Sequence, residues 1–207
     1  MKKIKTSFET PLYDALIKYC GKGAIPFHMP GHKQGRGLPK SFFDTLSQID
    51  LTELPGLDNL HWPEGAVKKA QELAAEAFRA EHSYFLVNGS SSGLLASAMT
   101  ICCPGKRVLV QRDSHISVVN GLMLAGAEPV FPKNGINTDF GITDALEIYE
   151  VKNALEKHPD IAGVILTRPS YYGVCSDLQK IVELCHQYGK PVAVDEAHGA
   201  HLGFADF

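Results

Sequence analysis

Long apolar runs are missing from these 207 residues: none approaches the ~18 residues that a membrane-spanning helix needs. The basic start, MKKIK, has no apolar stretch behind it, so no secretory signal peptide is expected. Charge of one sign is scarce as well. Twenty Lys and Arg stand against 23 Asp and Glu, and the formal charge of −3 offers no bulk attraction to nucleic acid or to an anionic membrane. The five cysteines are odd in number and form no Cys-x-x-Cys. They read as reduced thiols, mostly packing residues, in a cytoplasmic protein. GxxxxGK[ST] occurs nowhere, which removes P-loop nucleotide chemistry. There is no internal repeat and no low-complexity segment. What remains is an ordinary globular composition, 44% hydrophobic and 21% charged, long enough for one domain or a large piece of one.

The chain reads in two parts, 1–62 and 63–207. In the first, TPLYDALIKYC and KSFFDTLSQIDL suggest short helices. GKGAIPFHMPGHKQGRGLP and TELPGLDNLHWPEG, broken by Gly and Pro, are expected to be irregular. From Pro63 the pattern becomes regular. PEGAVKKAQELAAEAFRA predicts a helix with Pro in its first turn. Apolar strands are then expected at 84–87 (YFLV), 107–111 (RVLVQ), EPVF, 163–167 (GVILT) and 191–195 (PVAVD). Helices between them include SSGLLASAMTIC, SHISVVNGLMLAG, DALEIYEVKNALEKH and DLQKIVELCHQYG. This alternation predicts an α/β domain with a mainly parallel sheet and helices on both faces.

In such sheets ligands bind beyond the carboxyl ends of the strands. NGSSSG (88–93) falls there, after YFLV. Its serines begin a helix whose free N–H groups suit an anion, or they simply cap that helix. RDSHIS places His115 near another helix start, where capping is the commoner role. RPSYYG makes a polar turn with two tyrosines. The last strand ends in Asp195, followed by Glu196, His198 and His201. A strand-end carboxylate can keep a ligand's ring nitrogen protonated, or it can cap the next turn. DEAH matches the letters of a magnesium-binding helicase motif, but that motif works with the P-loop missing here. Asp195, His198 and His201 are also suitable metal ligands, though a metal leaves the serine loop unexplained.

Taken together, TPLYDAL, PFHMPGHKQG, LPGLDNLHWPEG, FLVNGSSSG, RDSHIS, TRPSYYG and VDEAHGAHLGF resemble the Orn/Lys/Arg decarboxylases, and the shorter bacterial form most closely. These are pyridoxal-phosphate enzymes of fold type I. The resemblance covers essentially the whole chain, and MPGHK and DEAHGAH are its most specific parts. It implies a partial fold-type I large domain, pyridoxal 5'-phosphate as cofactor and no metal. It also implies a basic amino-acid substrate, namely arginine, lysine or ornithine.

The resemblance further implies residue roles. Ser90 and Ser91, with Ser92 a weaker candidate, hold the cofactor phosphate. His115 stacks on the pyridine ring, Asp195 pairs with the ring nitrogen, and His198 lies beside the cofactor. The family's Schiff-base lysine follows a Ser-x-His motif on the next strand. Here the last lysine is Lys190, so an N-terminal fragment, inactive alone, is expected. In the family fold two later strands stand between the one at 84–87 and the one ending in Asp195. The first is therefore expected without its usual neighbours, and the second on an edge. A homodimer or higher oligomer is implied when complete, and Lys33 and Arg36 are candidates to reach a neighbouring site. The alternatives are another fold-type I enzyme, an aminotransferase or aldolase type, or a non-catalytic remnant or binding protein.

Overall fold

The computed structural model describes residues 10–28 and 31–204. The MKKIK start and Met29 and Pro30 of MPGHK lie outside the described residues. The chain divides into two compact units, Met1–Val67 and Lys68–Phe207. The division falls between Val67 and Lys68.

The first unit carries α1 (Pro11–Cys20) and α2 (Lys40–Ile49). Both are amphipathic, yet neither contains a buried residue. Leu12, Leu16, Phe43 and Ile49 all remain exposed. Between the helices His32 Nδ1 accepts from the Gly35 N–H at 2.9 Å. Residues Lys33, Gln34 and Gly35 all adopt left-handed φ values of 54°, 58° and 84°.

Asp58 organises the end of this unit. Its Oδ1 accepts from the N–H groups of Asn59 and Glu64, and its Oδ2 from those of Gly65 and Val67, at 2.8–3.0 Å. Four backbone donors on one carboxylate explain why α3 (Ala66–Phe78) begins at Ala66 and not at Pro63. The carboxylate satisfies the early N–H groups that a helix start leaves open, and it bends residues 63–65 around itself.

In the second unit come α4 (Gly89–Ile101), β1 (Arg107–Val110), α5 (Ile116–Ala125) and β2 (Glu128–Val130). A two-stranded antiparallel hairpin follows, β3 (Ile136–Asn137) and β4 (Ile142–Thr143). The last elements are α6 (Ile148–Lys157), β5 (Ile161–Thr167), α7 (Leu178–Gln187) and β6 (Val192–Asp195). The main sheet has the order β2-β1-β5-β6 and is parallel throughout. The chain therefore has the expected α/β architecture.

Side-chain alternation divides the core. Leu109, Val164 and Leu166 pack with Val151, Leu155 and Ile181 of α6 and α7. Val108, Val110 and Ile165 point the other way, against Leu94, Ala98, Val118 and Leu122 of α4 and α5. Helices thus cover both faces, which accounts for the nearly unbroken apolar runs of β1 and β5.

Two expectations are corrected. YFLV at 84–87 is not a strand. Tyr84, Phe85, Leu86 and Val87 are 74%, 44%, 51% and 59% exposed. A β-strand exists only through its partner, and no strand among the described residues pairs with this segment. The helix expected over DALEIYEVKNALEKH begins only at Ile148. The hairpin β3–β4 before it went unread because strands of two residues show no period. β6 does lie at an edge of the sheet.

All five cysteines are free. Burial pushes the Cys185 thiol up to about 11. Burial, and then the neighbouring Cys103, raise Cys102. Only the exposed Cys20, Cys103 and Cys175 should react quickly with a thiol reagent at neutral pH. Counting modified thiols by mass spectrometry in the native chain tests this, and rapid labelling of Cys185 would contradict the packing of α7.

Candidate active site

β1, β5 and β6 run parallel, so their carboxyl ends share one rim of the sheet. α4 runs back against them. A Cβ on Gly163, early in β5, would lie 2.4 Å from Ile101 at the end of α4. The start of α4, with Ser90 and Ser91, therefore points to the carboxyl rim. α5 is oriented likewise, because its end lies beside the entry to β1, where Gly105 N–H donates to Gly126 O at 2.9 Å.

Asp195 closes β6 and is only 6% exposed. It pairs in register with Thr167. Ala193 and Ile165 face α4 and α5, so by alternation Asp195 and Thr167 face the same side. Asp195 Oδ1 accepts from Ala197 N–H at 3.1 Å. That turn rests on the next one. A Cβ on Gly199 would come within 2.9 Å of the Arg168 carbonyl and 2.8 Å of Pro169 Cδ, so only glycine fits. Arg168 also forms an ion pair with Glu196 at 3.4 Å.

The serine loop is built for an open helix start. Asn88 and Gly89 are left-handed, with φ of 70° and 67°. Asn88, at the cap position, makes no side-chain cap to α4. Ser90 and Ser91 are exposed. Ser92 turns inward, its hydroxyl donating to Val87 O at 2.8 Å and approaching Gly89 O at 2.9 Å. Ser92 thus braces the loop from inside.

His115 is the N-cap of α5. Its Nδ1 accepts from Ser117 N–H at 3.2 Å and lies 2.7 Å from Ser117 Oγ. A donor aimed at Nδ1 leaves the proton on Nε2. The capping role is thus real, and the ring stays exposed. His198 is exposed beyond β6, its ring edge-on to Tyr171 at 6.1 Å. Ser90, Ser91, His115 and Asp195 therefore lie on one rim and one face of the sheet, and His198 follows Asp195 in the next turn. Among the described residues no three His, Cys, Asp or Glu side chains converge as metal ligands, so Asp195, His198 and His201 do not form a trio of that kind. No helix among the described residues is long and apolar enough to cross a membrane.

Among the described residues Gln111, Ser117, Thr167 and Ser170 are also buried polar groups, none of them expected from the sequence. Gln111 and Thr167 end or directly follow apolar strands, a signal that could have marked them.

The model for the major domain of Orn/Lys/Arg decarboxylases matches residues 10–207. An arginine decarboxylase of Bacillus cereus is 42% identical over 205 residues, 97% of this chain and 45% of the relative. The constitutive lysine decarboxylase of Escherichia coli superposes over 94% of this chain and 29% of its own, with a TM-score of 0.63 at 23% identity. A serine palmitoyltransferase solved with pyridoxal phosphate covers 73% of this chain and 36% of its own, with a TM-score of 0.53 at 15% identity. The fold is accordingly that of fold-type I pyridoxal-phosphate enzymes. The chain spans less than half the length of the curated relative. The match across nearly all of its residues, on this sheet and with this rim, makes the chain a member of the Orn/Lys/Arg decarboxylase family.

Proposed function

We propose that this chain is part of a pyridoxal-phosphate-dependent decarboxylase of a basic amino acid. Arginine is the first substrate to test, because the relative at 42% identity bears that name. One observation carries the reading. An uncapped helix start and a buried carboxylate occupy the same rim and the same face of one parallel sheet.

The residues fit the cofactor. The open N-terminus of α4 suits a phosphate dianion, with Ser90 and Ser91 exposed beside it. Asp195 is a buried acceptor that suits a ring N–H. When bound, pyridoxal phosphate supplies an electron sink for the pair left on the substrate's α-carbon as carbon dioxide departs. Ser90, Ser91 and the first N–H groups of α4 would donate to the phosphate. Asp195 holds the proton on the ring nitrogen. His115, at the start of α5, would be the residue to pack on the ring, and His198 would stand beside it. Ser92 keeps the loop in shape.

No lysine follows Lys190, so the Schiff-base lysine in this reading comes from outside the 207 residues. The chain by itself then turns over no amino acid. The working form is a cytoplasmic homodimer or higher oligomer, a reading supported by the unburied apolar faces of α1 and α2.

The test is a fluorescence titration of the purified chain with pyridoxal 5'-phosphate. Losing two hydrogen bonds to a charged group should weaken binding by about a hundredfold or more in a Ser90→Ala/Ser91→Ala variant. Carbon dioxide release from labelled arginine, lysine and ornithine should stay at background. Equal binding by the double variant overturns the phosphate assignment. Turnover by the 207-residue chain overturns the need for an outside lysine.

A further inference from the structure

β1 ends at Val110, yet its ladder with β5 continues. Gln111 N–H donates to Ile165 O at 3.2 Å, the last backbone bond of the pair. The next donor on β5, Thr167 N–H, meets no strand carbonyl. It donates instead to the side-chain Oε1 of Gln111 at 3.2 Å. The glutamine amide thus stands in for one more residue of strand. The Thr167 hydroxyl then reaches Ser114 Oγ at 3.2 Å. Ser114 N–H closes the turn on Gln111 O at 3.2 Å. Gln111 and Thr167 are 3% and 7% exposed, so the bond between them is shielded from water, while the Thr167–Ser114 bond is half-buried.

The turn needs holding. Both carboxylate oxygens of Asp113 are buried and have no hydrogen-bond partner among the described residues. Buried polar atoms without a partner are costly, so rotation of Asp113 towards water is the motion that the bonds of this turn oppose. Any such rotation carries His115 along, two residues further on. At the other end of the network, Thr167 pairs in register with Asp195, and Arg168 N–H donates to Asp195 O at 2.9 Å.

We infer that Gln111 and Thr167 are positioning residues. Their bonds lock the 111–115 turn to the β5–β6 rim and so fix the His115 ring at a set offset from Asp195. The inference assigns no catalytic contact to either residue. Its bearing on the cofactor rests on the proposed function above.

Hydrogen exchange of the 207-residue chain, read by mass spectrometry on the peptide covering 111–117, tests the lock without any ligand. Thr167→Val keeps shape and removes the hydroxyl. It should raise exchange in this peptide by about tenfold, the effect of one lost hydrogen bond, while the interiors of β1 and β5 stay protected. Thr167→Ser keeps the hydroxyl and should restore wild-type exchange. Pyridoxal 5'-phosphate should bind Thr167→Val about tenfold more weakly and Thr167→Ser normally. Unchanged exchange in Thr167→Val overturns the inference. So does an equal rise across the whole sheet, or damage in Thr167→Ser matching that in Thr167→Val. If Thr167→Val does not fold, Ser114→Ala removes the same bond from the half-buried turn and is read by the same criteria. If wild type binds no pyridoxal 5'-phosphate, the cofactor reading fails, and the exchange comparison still decides the lock.

Discussion

Replacing Asp195 by Asn should weaken pyridoxal 5'-phosphate binding to this chain by about tenfold to a hundredfold, the worth of one hydrogen bond to a charged group. When the chain is joined to the segment that supplies the lysine, turnover should fall by about 10²–10³-fold, as when a preorganised charge is removed from a transition state. The amide cannot hold a proton on the ring nitrogen, because it carries no negative charge. The fold should survive, since the amide oxygen can still accept from Ala197 N–H in place of Oδ1. Spectroscopic titration and thermal unfolding, run on the same preparation, separate these two effects. Wild-type affinity in Asp195→Asn would show that the carboxylate serves only the 195–197 turn. A collapse in melting temperature would show that its burial is structural first.

Gly121→Val should cost stability and the phosphate site together. Gly121 is buried in α5 where that helix meets α4. A Cβ there would sit 2.7 Å from Ala98 Cβ and 3.4 Å from Leu94 O. Ala98 is fully buried and cannot turn aside. Overpacking of this kind costs about 1–3 kcal/mol, which at this chain length lowers the melting temperature by roughly 2–12 °C. The strain is relieved if α4 and α5 move apart, which shifts Ser90 and Ser91 at the start of α4 relative to His115 at the start of α5. Affinity for pyridoxal 5'-phosphate should therefore fall although no serine has changed. Gly121→Ala should be milder, since alanine gains about 1 kcal/mol of helix propensity over glycine. A Gly121→Val chain that melts and binds like wild type would mean the two helices do not meet this closely.

Much of the architecture was legible in local sequence. Apolar runs such as RVLV and GVILT, alternating with helical segments, are enough to specify a parallel sheet between two helix layers. The rule that ligands gather at the carboxyl ends pointed to the rim for His115 and Asp195, which follow or end β1 and β6, whereas Ser90 and Ser91 reach it through the direction of α4 and not through a strand before them. The motifs identified the family, and with it the roles proposed for those residues.

Other features depend on partners distant in the chain. YFLV has the composition of a strand but pairs with no strand among the described residues, so it stays irregular and exposed. Composition records a preference for the β conformation, whereas strand formation needs a neighbour's N–H and C=O groups. Asp58 looked like one polar residue in an irregular stretch, and only the folded loop brings the Val67 N–H, nine residues away, to its carboxylate. Gln111 and Thr167 are 56 residues apart, and nothing local foretells that one side chain will finish the other's ladder. By itself, then, the sequence determined the parallel α/β alternation, the two-sided burial of β1 and β5 and the end of β6 on which Asp195 sits, because these follow from periodicity and chain order. Tertiary structure alone decided which segment became a strand, which helices closed on each face and which buried polar groups satisfy one another. Those outcomes depend on hydrogen bonds and packing between residues that the chain holds far apart.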